Sequence, residues 1–337
     1  MKDYRLLLAT GIALLCTVAL PTNVQAQFKR VLEEEYTGTR CGWCPRGMVG
    51  MELVKEEFGD SVILISIHGK KLDSSPMATW AEDAGYGKLA EDAPGYPTCA
   101  IDRGKFADPY FGFYSSGFGM RDVIKSQLAT KCEADINLKA VWADAQRNRI
   151  EATSDFKFVS RKNAKYAVAY VLCADSITGD GEKWNQLNYY AGEQVDDPNL
   201  QPFTSQPKGM TNVVYGNVAI AGVGVENGIE HSIEYPVNVG KEYVHTQSIE
   251  IPALEGFVLD KDKLRMVVML INTKSKEIVN AAEATISFAN IVDNIAFDQK
   301  RSIVARYNIS GQTVSASAKG LVILRYSDGK TQKTWIP

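Results

Sequence analysis

Residues 37–47 read TGTRCGWCPRG and place two cysteines, Cys41 and Cys44, on either side of a Gly-Trp dipeptide. Such a pair can exchange electrons with a substrate, supply two ligands to a metal ion, or staple a turn through a disulfide. The pair alone does not distinguish these three chemistries, so the surrounding sequence has to decide.

The residues on either side of this stretch predict a strand, a turn, a helix and a second strand. Residues 30–38, RVLEEEYTG, are strand-like and lead directly into the cysteines. Apolar side chains recur every three or four residues in 48–60, and Gly59 ends the pattern, as expected of an amphipathic helix. Residues 61–68, SVILISIH, form an apolar run typical of a strand covered on both faces. The pattern favours a βαβ unit and an α/β domain.

A structural zinc site explains the two cysteines poorly. Such sites need four ligands, and the histidines are scattered along the chain at His68, His231 and His245. The redox interpretation gains from position, because a thiol at the start of a helix faces unpaired N–H groups and the positive end of the helix dipole. We therefore expect Cys41 to be an exposed nucleophilic thiolate and Cys44 to be the less accessible resolving thiol. We expect no metal and no cofactor.

The order strand, Cys-X-X-Cys, helix, together with Glu35 and the later Tyr96-Pro97, resembles the thioredoxin fold. The resemblance implies that Glu35 is buried beneath the second cysteine and relays its proton. It also implies that Pro97 is cis and lies against the disulfide, which leaves the preceding backbone free to pair with a bound peptide. Glu35 and Pro97 thus join the two cysteines as catalytic residues, and Trp43 and Tyr96 are assigned to substrate binding.

The sequence departs from thioredoxin itself next to the cysteines and between them. Arg40 stands where thioredoxin has a tryptophan, and Gly42-Trp43 contains no proline, which follows instead as Pro45. Since the residues between the cysteines tune the reduction potential, the direction of electron flow stays open.

Four stretches resemble more narrowly the Bacteroidota outer-membrane thioredoxin-like family, which is related to a Porphyromonas outer-membrane antigen. They are EEYTGTRCGWCPRG (34–47), GYPTCAIDR (95–103), NVVYGNVAIAG (212–222) and EIVNAAEATI (277–286). The resemblance covers residues 28–289 and implies fold and location more than activity.

Changes in periodicity divide the chain after its first residues into three parts. Residues 27–131 are expected to form the domain that resembles thioredoxin. In residues 132–289 apolar and polar side chains alternate as in strands with one wet face, which predicts an all-β domain, an immunoglobulin-like antiparallel sandwich. Residues 290–337 form a small, basic β module that resembles the C-terminal sorting domain of the Bacteroidota type IX secretion system. The alternative for this module is a last β element of the sandwich.

A long polar segment, residues 179–209, interrupts the predicted strands of the second domain. Loops of this length in compact domains are usually functional. Its aromatic residues, Trp184, Tyr189 and Tyr190, either line a ligand surface or pack in the core, and the sequence favours neither. His68, at the end of a central strand, lies near the disulfide or is a capped edge residue.

The first residues and the net charge of the chain limit its location and the class of its partners. Residues 1–26 carry Lys2 and Arg5, then an apolar run and a polar stretch that ends at Ala26, which is the pattern of a cleaved signal peptide. Cleavage leaves 35 basic and 39 acidic side chains, a balance that argues against a nucleic-acid partner. We expect an exported protein at the outer membrane or cell surface, with the periplasm as the alternative.

Five cysteines remain after this cleavage, an odd number that cannot be fully paired within one chain. Cys99, two residues after Pro97, is expected to be a small buried hydrophobe. Cys132 and Cys173 are candidates to face each other across the sandwich.

Two functions from different classes fit these features. The first is thiol–disulfide exchange with protein thiols or disulfides, carried by the acid, the dithiol and the proline. The second is binding or adhesion at the cell surface, with a ligand held by the β domain and the Cys41–Cys44 disulfide as a staple. The first is favoured, because a disulfide that closes so small a loop gains little conformational entropy.

Overall fold

Two strands and a helix surround the cysteines in the order that the sequence predicts. The computed structural model describes residues 29–160, 163–253, 257–288, 303–326 and 329–336. The elements up to residue 131 are β1 (Val31–Thr37), α1 (Pro45–Phe58), β2 (Val62–His68), α2 (Pro76–Ala81), α3 (Gly87–Asp92), β3 (Thr98–Ile101), β4 (Phe106–Ala107) and α4 (Met120–Leu128). A 3₁₀ turn, Gly59–Ser61, follows α1 at the predicted stop, and a π-helical segment, Glu82–Tyr86, joins α2 to α3.

Strands dominate the rest of the described chain. They are β5 (Ala134–Trp142), β6 (Arg149–Phe158), β7 (Tyr166–Ala174), β8 (Thr178–Gly179), β9 (Gln186–Leu187), β10 (Gly209–Met210), β11 (Val218–Val223), β12 (Glu242–Glu250), β13 (Phe257–Val258), β14 (Leu264–Asn272), β15 (Ile278–Phe288), β16 (Ile303–Tyr307), β17 (Gly320–Tyr326) and β18 (Thr331–Ile336). A short helix, α5 (Gln201–Thr204), and 3₁₀ turns at Glu182–Trp184 and Lys261–Lys263 lie between them.

One large mixed sheet holds eleven of the described strands, in the order β12-β6-β5-β15-β14-β7-β11-β2-β1-β3-β4. Strand β1 runs parallel to β2 and antiparallel to β3. Strand β11 joins β2 through a parallel pairing of Val218 with Ser66, so the sheet continues across the predicted domain boundary, which falls between α4 and β5. The pairing of β5 with β15 is also parallel, within an otherwise antiparallel block. The protein is therefore mostly β, with few helices among the described residues.

Strand β1 is buried on both faces, which puts the cysteines at the end of a covered strand. On one face Val31 packs in a core with Val54 of α1 and Ile124 of α4. On the other face Leu32 and Tyr36 pack in a second core, with residues of the α2–α3 region. Two layers of helix thus enclose the β1–β2 pair.

Burial in the second part of the chain follows alternation in some strands and not in others. Strand β6 alternates between buried and more exposed positions, as predicted. Strand β7 is buried throughout, because Leu172 on one face shares a core with Phe156 of β6, and Val171 on the other face shares a core with Ala81 of α2. Elements of the first part of the chain therefore cover a face of this strand.

The three-stranded sheet β16–β17–β18 contacts the end of α1. The ring centroids of Trp335 and Phe58 are 5.6 Å apart, and the hydroxyls of Ser61 and Thr334 are 3.1 Å apart. The predicted signal peptide and residues 289–302, which include the start of the predicted C-terminal module, lie outside the described residues. Where the structure describes the chain, it contains no helix long and apolar enough to cross a membrane.

Candidate functional site

Cys41 and Cys44 form a disulfide at the entrance to α1, with their Cα atoms 5.3 Å apart. Cys44 is the N-cap of the helix, and its carbonyl accepts hydrogen bonds from the N–H groups of Gly47 and Met48. Cys41 lies in the preceding turn, where its carbonyl accepts from the Cys44 N–H at 3.2 Å. Pro45 occupies the first position of the helix without removing a hydrogen bond, because the first N–H groups of a helix have no partner inside it.

Neither sulfur-bearing residue is open to solvent. Cys44 is fully buried and Cys41 is only 3% exposed. The expectation that Cys41 is exposed is therefore wrong. The physical reason is a segment distant in sequence, which lies over the turn and which local sequence patterns cannot place.

Residues Gln186–Tyr190, which we call the strap, cover the turn that carries the cysteines. The N–H of Leu187 donates to the Thr39 carbonyl at 2.7 Å, and the N–H of Tyr189 donates to the Gly42 carbonyl at 2.9 Å. Between these bonds the side-chain Nε2 of Gln186, itself 1% exposed, donates to the Cys41 carbonyl at 2.9 Å. The strap thus binds backbone atoms on both sides of Cys41.

Aromatic rings complete the cover. Trp43 meets Tyr189 and Tyr190 edge to face, with centroids 5.4 and 5.3 Å apart. A Cβ on Gly42 would overlap the Tyr189 ring, so only glycine fits beneath it. Trp43 keeps 44% exposure, whereas Tyr190 is buried against a cluster that includes Leu200. The sequence left open whether these tyrosines line a surface or pack in the core. Tyr189 lines the surface, and Tyr190 packs inside.

An ion pair that the sequence analysis missed lies beside Trp43. The guanidinium of Arg46 binds the Asp108 carboxylate at 2.7 Å and lies 5.9 Å from the Trp43 ring centre and 5.6 Å from that of Phe111. Desolvation alone would lower the pKa of Arg46, but its hydrogen bond to Asp108 outweighs this and raises it. No motif marks Asp108, so only the fold brings the two residues together.

Glu35 is buried on β1 and faces the first turn of α1. A Cβ on Gly47 would overlap the Glu35 Oε1 atom, so glycine at this position lets the carboxyl approach the helix. Burial raises the pKa of Glu35 to about 8, while a hydrogen bond from the Ser66 hydroxyl opposes the rise and the Asp108 charge adds to it. Near neutral pH this carboxyl is therefore mostly protonated, and a fraction of the molecules carries it in the ionised form.

The two neighbouring acids are buried as well, with different partners. Glu33 lies on the same face of β1 as Glu35, and burial followed by the Glu35 charge raises its pKa to about 8. Glu34 points to the opposite face, as strand alternation predicts, and forms a bidentate ion pair with Arg103 at 2.9 to 3.3 Å. None of the three is the solvated charge run that three acids in a row usually indicate.

Tyr96 and Pro97 take different positions around the site. The peptide bond between them is cis. Pro97 lies at the helix start, where its Cβ would be 3.2 Å from a Cβ on Gly47. The side chain of Tyr96 turns towards α3, and its hydroxyl donates to the Ala90 carbonyl at 3.1 Å. Pro97 therefore converges with Glu35, whereas the Tyr96 ring packs away from this point.

His68 is buried and supports the loop before the cysteines. Its Nδ1 lies 2.7 Å from Asp73 Oδ2, and the same carboxylate oxygen accepts from the Thr39 N–H at 2.9 Å. Burial opposes ionisation of Asp73, but the hydrogen bond with His68 outweighs it, and the pKa of Asp73 is lowered. His68 thus acts on the cysteine turn through Asp73 and Thr39.

The other cysteines lie apart from the disulfide. Cys99 is fully buried on β3, and burial, followed by the Glu33 charge, raises the pKa of its thiol well above the ordinary value. Cys173 is buried in β7, and the Cys132 thiol donates to the carbonyl of Ala134, the first residue of β5; the two form no disulfide with each other. Among the described residues, no group of three His, Cys, Asp or Glu side chains is placed to hold a metal ion.

Comparison with known proteins shows similarity at the level of fold. No protein-family model and no curated protein matches the sequence. Among solved structures, HBP35 of Porphyromonas gingivalis is similar over 93% of this chain and 100% of its own, with 12% identity and a TM-score of 0.53. An Agrobacterium tumefaciens protein (13% identity, 77% and 96% coverage, TM-score 0.41) and a domain of the P. gingivalis outer membrane lipoprotein Omp28 (15%, 48% and 93%, TM-score 0.25) are more distant. The chain thus shares its overall fold with HBP35.

Proposed function

We propose that this protein is an exported thiol–disulfide exchange protein that acts through Cys41 and Cys44. The observation that carries the proposal is the convergence of Glu35 and Pro97 on Gly47, in the first turn of the helix that the disulfide opens. A structural staple gains nothing from a weakly bonded carboxyl buried beside it, because burying such a group costs free energy. An exchange reaction does need a proton donor and acceptor at that place.

In the proposed reaction, the reduced chain attacks a substrate disulfide with the Cys41 thiolate. One substrate sulfur leaves with the electron pair, and a mixed disulfide joins the other sulfur to Cys41. The Cys44 thiol then gives its proton to the Glu35 carboxylate and attacks Cys41 Sγ, which releases the second substrate thiolate and restores the Cys41–Cys44 bond. Two electrons pass to the substrate, and the reverse sequence oxidises a dithiol.

The pKa of Glu35 suits both directions of this reaction. A carboxyl with a pKa of about 8 is present in both charge states near neutral pH, so it can accept the Cys44 proton or return it. An ordinary exposed carboxyl would be ionised and unable to protonate the departing Cys44 thiolate.

The finer fold assignments belong to the same proposal. The parallel β1–β2 pair, α1 and the cis Tyr96–Pro97 bond support a thioredoxin-like domain in residues 27–131. The shared core of β6 and β7 supports an immunoglobulin-like sandwich in 132–289. The basic, three-stranded module within 290–337 supports a type IX sorting role.

The proposed location follows from the two ends of the chain. The signal-peptide pattern in residues 1–26 supports export, and the C-terminal module supports attachment at the outer membrane or cell surface. The expected partners are exported proteins that carry thiols or disulfides. Protease added to intact cells should digest the protein, and protection until the outer membrane is opened would place it in the periplasm.

Trapping tests the exchange reaction directly. Cys44→Ser should accumulate a mixed disulfide between Cys41 and a partner protein, because the resolving thiol is gone. Cys41→Ser is the matched control, since it removes the nucleophile and should trap nothing. The proposal fails if both variants trap nothing and the purified chain neither reduces nor oxidises a model protein disulfide.

One observation favours a second function, binding at the cell surface with the disulfide as a staple. Cys41 is only 3% exposed, as a structural disulfide would be. In that case Cys41→Ser/Cys44→Ser would leave surface binding intact and the exchange assays would be negative.

A further inference from the structure

The strap blocks the approach that any attacking thiol has to take. Attack on the disulfide must reach Cys41 Sγ, because Cys44 is fully buried within the helix start. With Cys41 at 3% exposure beneath the strap, the closed structure offers no open path to that sulfur. Exchange therefore needs a state that the closed structure does not show.

The contacts between strap and turn are few and local. Four hydrogen bonds hold it to the backbone between Gly38 and Gly42: one from the Leu187 N–H, one from the Tyr189 N–H, and two from the Gln186 side chain, to the Gly38 and Cys41 carbonyls. Segments held by so few contacts open at a much lower free energy than the whole protein unfolds. The strap can therefore leave the turn while the sheet stays folded.

The strap also has a fixed base from which to move. The side chain of Asn188 is fully buried, donates to the Phe203 carbonyl at 2.8 Å and accepts from the Tyr190 N–H at 3.0 Å. Leu200 and Val49 of α1 belong to the same buried cluster as Tyr190. Asn188 and Tyr190 thus stay anchored to the loop and to α1 when the bonds of Gln186, Leu187 and Tyr189 to the turn break.

We propose that the strap, Gln186–Tyr190, is a lid whose bonds to the Cys41–Cys44 turn, made by Gln186, Leu187 and Tyr189, must break before a thiol can attack Cys41. The inference rests on the exchange function proposed above, and it identifies the segment that controls access to the disulfide. Tyr189 is its main contact, because its ring covers Gly42 and touches Trp43.

The step behind the lid can be written for dithiothreitol as the reductant. One thiolate of dithiothreitol attacks Cys41 Sγ, the Cys41–Cys44 bond breaks, and its electron pair stays on Cys44 Sγ, which takes the proton of Glu35. The second thiolate of dithiothreitol then attacks the mixed disulfide, cyclises the reagent and releases the Cys41 thiolate. The disulfide gains two electrons and dithiothreitol loses two.

The test measures how fast dithiothreitol reduces the disulfide in the full folded chain, by acid quenching, alkylation and mass spectrometry. If the lid opens first, the rate should rise with reagent concentration and then reach a plateau set by opening. This measurement uses the unaltered chain, so it does not depend on whether a variant folds. The lid proposal is wrong if the rate of reduction stays proportional to the dithiothreitol concentration throughout and the variants described next react no faster than the wild type.

Two variants should weaken the lid, and a third should not. Tyr189→Ala removes the ring over Gly42, and Gln186→Ala removes the bond to the Cys41 carbonyl. Each should raise the rate below the plateau about tenfold, the factor expected when one aromatic contact or hydrogen bond no longer opposes opening. Tyr235→Ala is the matched control, because Tyr235 is similarly exposed (47% against 43% for Tyr189) and contacts Asn163 instead. Equal rates in all four chains contradict the proposal.

The same chains separate failure of the lid from failure of the exchange function. A plateau and faster variants, combined with no reaction of any chain with a model protein disulfide, would support the lid and reject the function. Exchange with a model disulfide at equal rates in all chains would support the function and reject the lid.

Discussion

Gly47 leaves the space that the carboxyl of Glu35 occupies. A Cβ on Gly47 would overlap Glu35 Oε1, and the same Cβ would lie 3.2 Å from the Cβ of Pro97. The acid and the proline of the proposed site therefore meet one helix position, which tolerates no side chain.

Gly47→Ala tests this fit. The added methyl group must displace Glu35 or shift α1, so we expect a loss of about 1–3 kcal/mol in the free energy of unfolding, as in other overpacked interiors. Denaturant unfolding measures the loss. Gly95→Ala is the matched control, because a Cβ there meets nothing within 4 Å. Equal losses in both variants would contradict the fit.

Glu35→Gln should change the rate of exchange and its pH dependence. The amide cannot accept or return the Cys44 proton, so resolution of the mixed disulfide should slow, on the order of 10²-fold for a lost general acid–base. The wild-type rate should change through a pKa of about 8, and this inflection should vanish in the variant. Stopped-flow measurement from pH 6 to pH 9 gives both. An inflection that persists would assign it to another group.

Glu33→Gln should become more stable relative to the wild type as the pH rises. The folded protein holds the Glu33 proton up to about pH 8, whereas an ordinary carboxyl loses it near 4.5. The unfolded state therefore binds fewer protons between these values, and wild-type stability falls as the pH rises through this window. Urea unfolding at pH 5 and pH 8 measures the change. Parallel pH curves for the two proteins would show that Glu33 ionises normally.

Glu34→Gln should act in the opposite direction from Glu33→Gln. It leaves the Arg103 guanidinium buried without its carboxylate, and breaking such a pair typically costs about 3–5 kcal/mol. The loss should appear at pH 8, where Glu33→Gln gains relative stability. Urea unfolding of both variants in the same buffer measures the contrast. Similar effects of the two substitutions would mean that the ion pair contributes little.

Sequence patterns predicted the part of the fold that depends on neighbours in the chain. The strand before Cys41, the helix that ends at Gly59 and the covered strand after it are all present. The opposite faces of Glu34, which binds Arg103, and Glu35, which meets Gly47, also follow from strand alternation alone, because successive side chains of a strand point to opposite faces.

The parts that sequence could not reveal depend on contacts between distant segments. The burial of Cys41 comes from the strap around Gln186, and no local pattern records where that loop folds back. The parallel pairing of β5 with β15 could not be predicted either, because alternation reveals the period of a strand and not the direction in which it runs. Asp108 carries no motif and becomes visible only through its bond to Arg46.

The loop that carries the strap leaves and re-enters the sheet at a single point. Ala174, the last residue of β7, pairs with Val218, the first residue of β11, so residues 175–217 form an excursion between adjacent strands. The ends of the excursion belong to the sheet and its core, because Ile177, Trp184 and Tyr215 pack in the main core and the Asn217 carbonyl accepts from the Ser66 N–H of β2. The stretch between Trp184 and Tyr215, which carries the strap, can be exchanged as a cassette, and transplanting it between proteins of this fold would transfer the degree of closure while leaving the dithiol, the buried acid and the proline untouched.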